Sequence, residues 1–210
     1  MESKRAFTLA WVTYALLMAG CYYVGVTLGY GEAEGKHDPS SLLMYVRRLV
    51  MIGLAIGLPI LAAGVKVRGY GWTISFKWLV ISIFLVGIPI GWFNRGGFVP
   101  TSVLAILLAL FHTFATELYF RAYLIKTFER HMKGFWGPVL LSSLMYGVSY
   151  LTVHRTWQWE KGWQIGAFVL GFTVLGILYG ALYKKSGSFL VPFIAHFLGV
   201  LKYKELFGTL

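Results

Sequence analysis

The sequence predicts an all-α fold, a polytopic bundle of about seven transmembrane helices within a range of roughly six to eight. Three observations carry that expectation. Apolar residues make up 58% of the 210-residue chain against 13% charged, and the mean hydropathy is +0.68. That balance is foreign to a soluble domain of this size and ordinary for a membrane protein. The apolar residues fall in runs close to the ~20 residues a helix needs to cross a bilayer. The basic residues behind the net charge of +11 stand in short clusters at the ends of those runs. They read as topology signals and contacts to anionic membrane lipids, not as a nucleic-acid surface.

The first run, Ala6 to Tyr30, is too long for the apolar core of a signal peptide and has no clear small-residue cleavage site. It holds the lone cysteine, Cys21, which excludes an intrachain disulfide and reads as a packed thiol. The polar segment GEAEGKHDPSS follows. The second run, Leu42 to about Val65, carries Arg47 and Arg48 near its start, expected to snorkel to the interface. The third, Trp78–Phe93, is short and contains Pro89, which makes it the weakest span. Pro100 precedes a long helix from Thr101 to about Met132, with Thr101 or Ser102 as its N-cap and polar last turns (KTFERHMK) outside the membrane. A fifth run covers Trp136–Val153, a sixth Gln164–Tyr183, and a seventh Phe189–Leu201 with an amphipathic continuation to Phe207.

Two glycine pairs, Gly53-x-x-x-Gly57 and Gly176-x-x-x-Gly180, would allow close helix approach. With seven crossings and a cytoplasmic N-terminus, Lys4/Arg5, Lys66/Arg68/Lys77, Lys126/Arg130/Lys133 and Lys184/Lys185 lie inside. The smaller basic set, Lys36, Arg95, Arg155/Lys161 and Lys202/Lys204, lies outside. The bias favours that orientation, with a prokaryotic inner membrane as the expected location. If the third run is re-entrant, everything after it flips. There is no internal repeat or linker, so residues 1–210 read as one integral membrane domain.

Chemistry centres on Thr116-Glu117-Leu-Tyr-Phe-Arg121, inside the long fourth run. Glu117 and Arg121, four apart with the acid first, share one helix face. In a membrane setting an ionisable pair is costly and marks a functional site or a structural buried pair. His196 is the second anchor, four residues after Pro192, which should free a backbone carbonyl and widen the helix there. A carboxylate and an imidazole in a semi-dry pocket can activate a water or hold a metal. Tyr146, Tyr150 and His154 form a third group on one face at i, i+4 and i+8, where tyrosines are also common as interfacial belt residues. His112, one turn before Thr116, can reach the same cavity or be a core histidine. No metal-type spacing such as His-Glu-x-x-His occurs, and no cofactor is indicated.

These segments, in this order and spacing, resemble the CPBP family of intramembrane endopeptidases, the CAAX prenyl proteases and the bacteriocin-processing or self-immunity (Abi) proteins. The family's Glu-Glu-x-x-x-Arg motif stands here as Thr116-Glu117-Leu-Tyr-Phe-Arg121, and its Phe-x-x-x-His as Tyr146-x-x-x-Tyr150. Its Ser/Gly turn, proline and His-x-x-x-Asn stand as Ser186-Gly-Ser, Pro192, His196 and Val200. The resemblance covers roughly residues 100–205, the core helices, and leaves the spans in 1–99 unaccounted for. It implies a mechanism in which a Glu and two His activate a water against a carbonyl, with Asn assisting the oxyanion. Here Thr116, Tyr150 and Val200 replace the first Glu, the middle His and the Asn. A hydroxyl is no general base at neutral pH, and losing members of a catalytic unit costs orders of magnitude in rate.

Two readings follow. In one the chain is a non-catalytic descendant, a pseudoenzyme with a structural or regulatory role, binding a membrane-protein or peptide partner in the old substrate groove. In the alternative it is an active glutamate/histidine-dependent endopeptidase, with Glu117 as base, His196 its partner, Arg121 orienting the carboxylate and His154 standing in for the lost histidine. Transport has less support, since no inverted repeat or pair of broken helices is present.

Overall fold

The computed structural model describes residues 2–28, 42–60, 67–93, 103–152 and 162–200. Among them every regular element is helical and no strand occurs. Each apolar run forms a helix: α1 (Glu2–Leu28), α2 (Leu42–Leu58), α3 (residues 76–93), α4 (103–129), α5 (Trp136–Ser149), α6 (Gly162–Ser186) and α7 (Leu190–Val200). By length and apolar composition Lys4–Val24 and Gly162–Ser186 suffice to cross a bilayer, while Phe76–Trp92 and Leu190–Val200 are shorter apolar helices. The expected caps at Thr101 or Ser102 and the continuation to Phe207 lie outside the described residues.

Polarity is arranged inside out. Leu16, Phe76, Phe84, Leu85, Val103 and Trp163 face outward, whereas Glu117, Arg121, Arg47, Arg48 and His196 are buried. Such a surface suits hydrocarbon and would be an aggregation liability in water. Arg47 and Arg48, at 8% and 7% exposure, do not snorkel outward as expected; both turn into the bundle. Their position on α2 faces α4 and α5, so polar groups there replace the interface as partner: Arg47 Nη2 donates to the Ser149 carbonyl at 3.0 Å.

Both α3 and α4 widen into π turns near the site. In α3 the turn is Ile83–Gly87, and the Ile88 N–H donates to the Ile83 carbonyl. Pro89, one residue on, cannot donate and its ring crowds the carbonyl four residues back, which a wider turn relieves. In α4 the π segment is Leu118–Ile125, every residue of it buried, beginning directly after Glu117. The widening expected at Pro192 does not occur. Pro192 falls in the first turn of α7, where a missing N–H removes no intrahelical bond.

Close approach of α5 and α6 is set by small residues. A Cβ on Gly147 would meet the Val169 carbonyl at 2.7 Å, and one on Gly176 would meet Ser143 Cβ at 2.9 Å. Gly180 lies against Val139 in the same seam, so Gly176-x-x-x-Gly180 is a packing face. Gly53 and Gly57 meet nothing within 4 Å among the described residues. The turn before α7 is pinned by the Phe189 N–H on the Gly71 carbonyl (2.7 Å). Gly71 holds φ +78 there, a conformation other residues seldom adopt. α7 then packs against α3, α4 and α6, which carries His196 to the bundle interior.

Candidate functional site

Glu117 ends the α-helical part of α4, where the apolar run excludes water and the carboxylate must find partners within the protein. It has two. Oε1 stands 2.8 Å from His196 Nδ1, and Oε2 stands 3.3 Å from Arg121 Nε. The second contact is ionic, without hydrogen-bond alignment. An ionised carboxylate only accepts, so Nδ1 of His196 carries the hydrogen, and in the neutral ring Nε2 is the acceptor. Exposure of Glu117 is 0% and of His196 4%.

Arg121 is held from three sides. Its Nη1 reaches Ser142 Oγ at 3.5 Å, and that hydroxyl in turn donates to the Phe120 carbonyl at 2.7 Å. The guanidinium carbon lies 4.7 Å from the centre of the Tyr146 ring, a cation–π contact. His196 is clamped by aromatics: Tyr179 stacks on it at 4.8 Å and 18°, with Tyr146 and His112 edge-on at 6.2 and 6.0 Å. The cluster therefore unites five residues named from sequence, Glu117, Arg121, His196, Tyr146 and His112.

Thr116 and Tyr150 point elsewhere. Together with His112 they line a small cavity of about 20 Å³ between α2, α4 and α5, whose wall also includes Arg47, Arg48, Met51, Phe120 and Ser149. Thr116 Oγ1 donates back to the His112 carbonyl at 2.8 Å. The Tyr150 hydroxyl lies 3.2 Å from that of Tyr146, and its ring stacks on Phe172 at 4.0 Å. Val200 is half-buried at the end of α7 and offers an isopropyl group where an amide would be needed. His154 lies outside the described residues.

Tyr179, Ser142, Arg47 and Arg48 were not anticipated as part of this region. Tyr179 had one available signal: it adjoins Gly180, whose packing face against α5 turns the neighbouring side chains into the bundle. Among the described residues no group of three His, Cys, Asp or Glu stands close enough to hold a metal ion.

A helical membrane bundle built around a buried carboxylate, imidazole and guanidinium defines the class: an intramembrane CAAX-protease-like protein. Residues 98–201 match the family model described as Type II CAAX prenyl endopeptidase Rce1-like, and by that match this part of the chain belongs to the family. The match spans the same core helices as the motif resemblance. Neither the curated proteins nor the solved structures contain a match to the chain.

Proposed function

We propose that the protein is a non-catalytic member of the CAAX-protease-like family, a membrane-embedded pseudoenzyme that binds a partner in the groove substrates once used. One observation carries this reading. Both oxygens of Glu117 are committed, to His196 and to Arg121, and the carboxylate has no exposed surface. A general base needs a water within about 2.6–3.2 Å, and Glu117 has no exposed surface at which to receive one, with His196 on Oε1 and Arg121 facing Oε2. Thr116 and Tyr150, which stand where the family has its first Glu and middle His, do not accept a proton at neutral pH, which leaves His112 as the imidazole on the wall of the cavity beside it. The retained residues thus serve as a structural lock between α4 and α7. We also assign the seven helices as seven crossings, with the N-terminus cytoplasmic in a prokaryotic inner membrane.

The test pairs stability with proteolysis. Glu117→Ala leaves Arg121 buried without its counter-charge, a loss of about 3–5 kcal/mol, which should appear as a lowered melting temperature in detergent. The wild-type protein should leave prenylated and unprenylated membrane-proximal peptides intact. Cleavage by the wild type that Glu117→Gln and His196→Ala each abolish would overturn the reading. The 2.8 Å Glu117–His196 contact is what the active alternative would use, so this assay separates the two directly.

A further inference from the structure

The ends of α4 and α6 carry charge that the buried cluster does not use. Lys126, Arg130 and Lys133 follow one another along the end of α4 and its exit, Lys184 and Lys185 close α6, and Glu129 is the one acid in these two stretches. Glu129 is already engaged twice: Oε1 pairs with Lys184 Nζ, and Oε2 stands 3.2 Å from Lys126 Nζ. Lys133 and Lys185 are exposed, and among the described residues neither has a carboxylate within ion-pair distance. Lys185 is nonetheless held in place. Its Nζ lies 5.3 Å from the centre of the Phe135 ring, and Lys184 Nζ lies 5.7 Å from the same centre. Two ammonium groups gathered on one ring repel each other, and Glu129 answers only Lys184; an anion at Lys185 relieves the rest.

What lies beside these lysines selects the source of the anion. Trp136 opens α5 at 55% exposure, edge-on to Phe135 at 4.9 Å. An exposed tryptophan next to lysines at a helix end marks the membrane–water interface, the depth of lipid phosphates. Leu140 and Leu144 follow at i+4 and i+8 on the same face of α5, both about half exposed. Charge at headgroup level thus continues into an apolar track that runs into the bilayer, which is the profile of a phospholipid. An acidic segment of a soluble protein would match the lysines and leave the leucines without a partner. Basic clusters just outside a membrane helix suit anionic headgroups for the same reason.

We propose that Lys133 and Lys185, with Phe135 and Trp136 beside them, form a site for the headgroup of an anionic phospholipid whose acyl chain lies along Leu140 and Leu144. The phosphate bridges the exit of α4 to the end of α6, the two ends that Glu129 and Lys184 already tie together. The inference goes beyond the pseudoenzyme reading and does not depend on it, since neither lysine belongs to the cluster around Glu117 and His196.

The experiment titrates the full chain, purified in neutral detergent, with phosphatidylglycerol and with phosphatidylcholine, and follows the adducts by native mass spectrometry. Phosphatidylglycerol should bind about tenfold more tightly. Lys133→Gln and Lys185→Gln should each weaken it about fivefold, and the double variant about twentyfold. Lys77→Gln removes the same charge from an exposed lysine on α3 and should change binding by less than about twofold. Lys133 and Lys185 are exposed, so their variants should melt with the wild type. Equal binding of the two lipids would refute the proposal. So would an equal loss in Lys77→Gln, which would reduce the effect to overall charge. Competition by millimolar inorganic phosphate would assign the lysines to a free anion, and displacement by a water-soluble oligoglutamate peptide would assign them to an acidic protein segment; either overturns the lipid assignment. Peptide cleavage is read separately, so a failure of the pseudoenzyme reading is distinguishable from a failure of this one.

Discussion

Histidine at position 150 would restore one member of the family's catalytic set, yet its surroundings leave it nothing to act on. The Tyr150 ring is stacked on Phe172 and its hydroxyl is bonded to Tyr146, while the Glu117 carboxylate is already closed between His196 and Arg121. We expect Tyr150→His to gain no peptidase activity by itself and to lose about 0.5–1.5 kcal/mol with the stack. Tyr150→Phe keeps the stack and loses only the hydroxyl contact, again about 0.5–1.5 kcal/mol; thermal melts of the two variants compare these costs. Residue by residue, the site was partly legible. The i, i+4 spacing placed Glu117 beside Arg121, and His196 stood out as an imidazole in an apolar helix. Spacing along one helix carries no information about partners on another, so Tyr179 against His196 and Ser142 against Arg121 stayed hidden. Arg47 and Arg48 misled for a related reason. A long basic side chain near a helix end can reach out or in, and only the polar wall supplied by α4 and α5 turns these two inward.

At the scale of elements, the apolar runs marked the helices closely because hydrocarbon demands backbone hydrogen bonds within the segment. The π turns were not legible, although Pro89 signalled a disturbance in α3. In α4 no proline or glycine lies within Leu118–Ile125, where Tyr119, Phe120 and Tyr123 pack in the core, so no local residue type announced the widening. Of the two glycine pairs, only the one in α6 meets a neighbour among the described residues, since the motif permits contact but does not supply the facing helix. This gives a paired prediction. Gly147→Leu or Gly176→Leu should overpack the α5–α6 seam and cost 1–3 kcal/mol or more by the usual order of magnitude (about that range). Gly53→Ala meets nothing within 4 Å and should gain up to about 1 kcal/mol from helix propensity. Denaturant titrations of the three variants should therefore move in opposite directions.

For the whole molecule, the number of crossings can be argued from which helix ends meet. Phe7, near the start of α1, lies 5.6 Å from Phe128 and 4.9 Å from the His131 ring, ring centre to ring centre. The start of α1 and the end of α4 therefore sit at one end of the bundle, which requires an even number of crossings between them. If α3 turned back within the membrane, the end of α4 would emerge on the far side from Phe7. The Glu129–Lys184 ion pair extends the same logic, joining the end of α4 to the end of α6 across two further crossings. Cysteines introduced at Lys4, Lys133 and Lys185 in a Cys21→Ala background should thus all be labelled from the same face of sealed vesicles by an impermeant maleimide. In the topology proposed from the distribution of basic residues, that face is the cytoplasmic one. Labelling of Lys4→Cys and Lys133→Cys from opposite faces would mean that α3 does not cross, and would reverse the orientation of every helix from α4 onward.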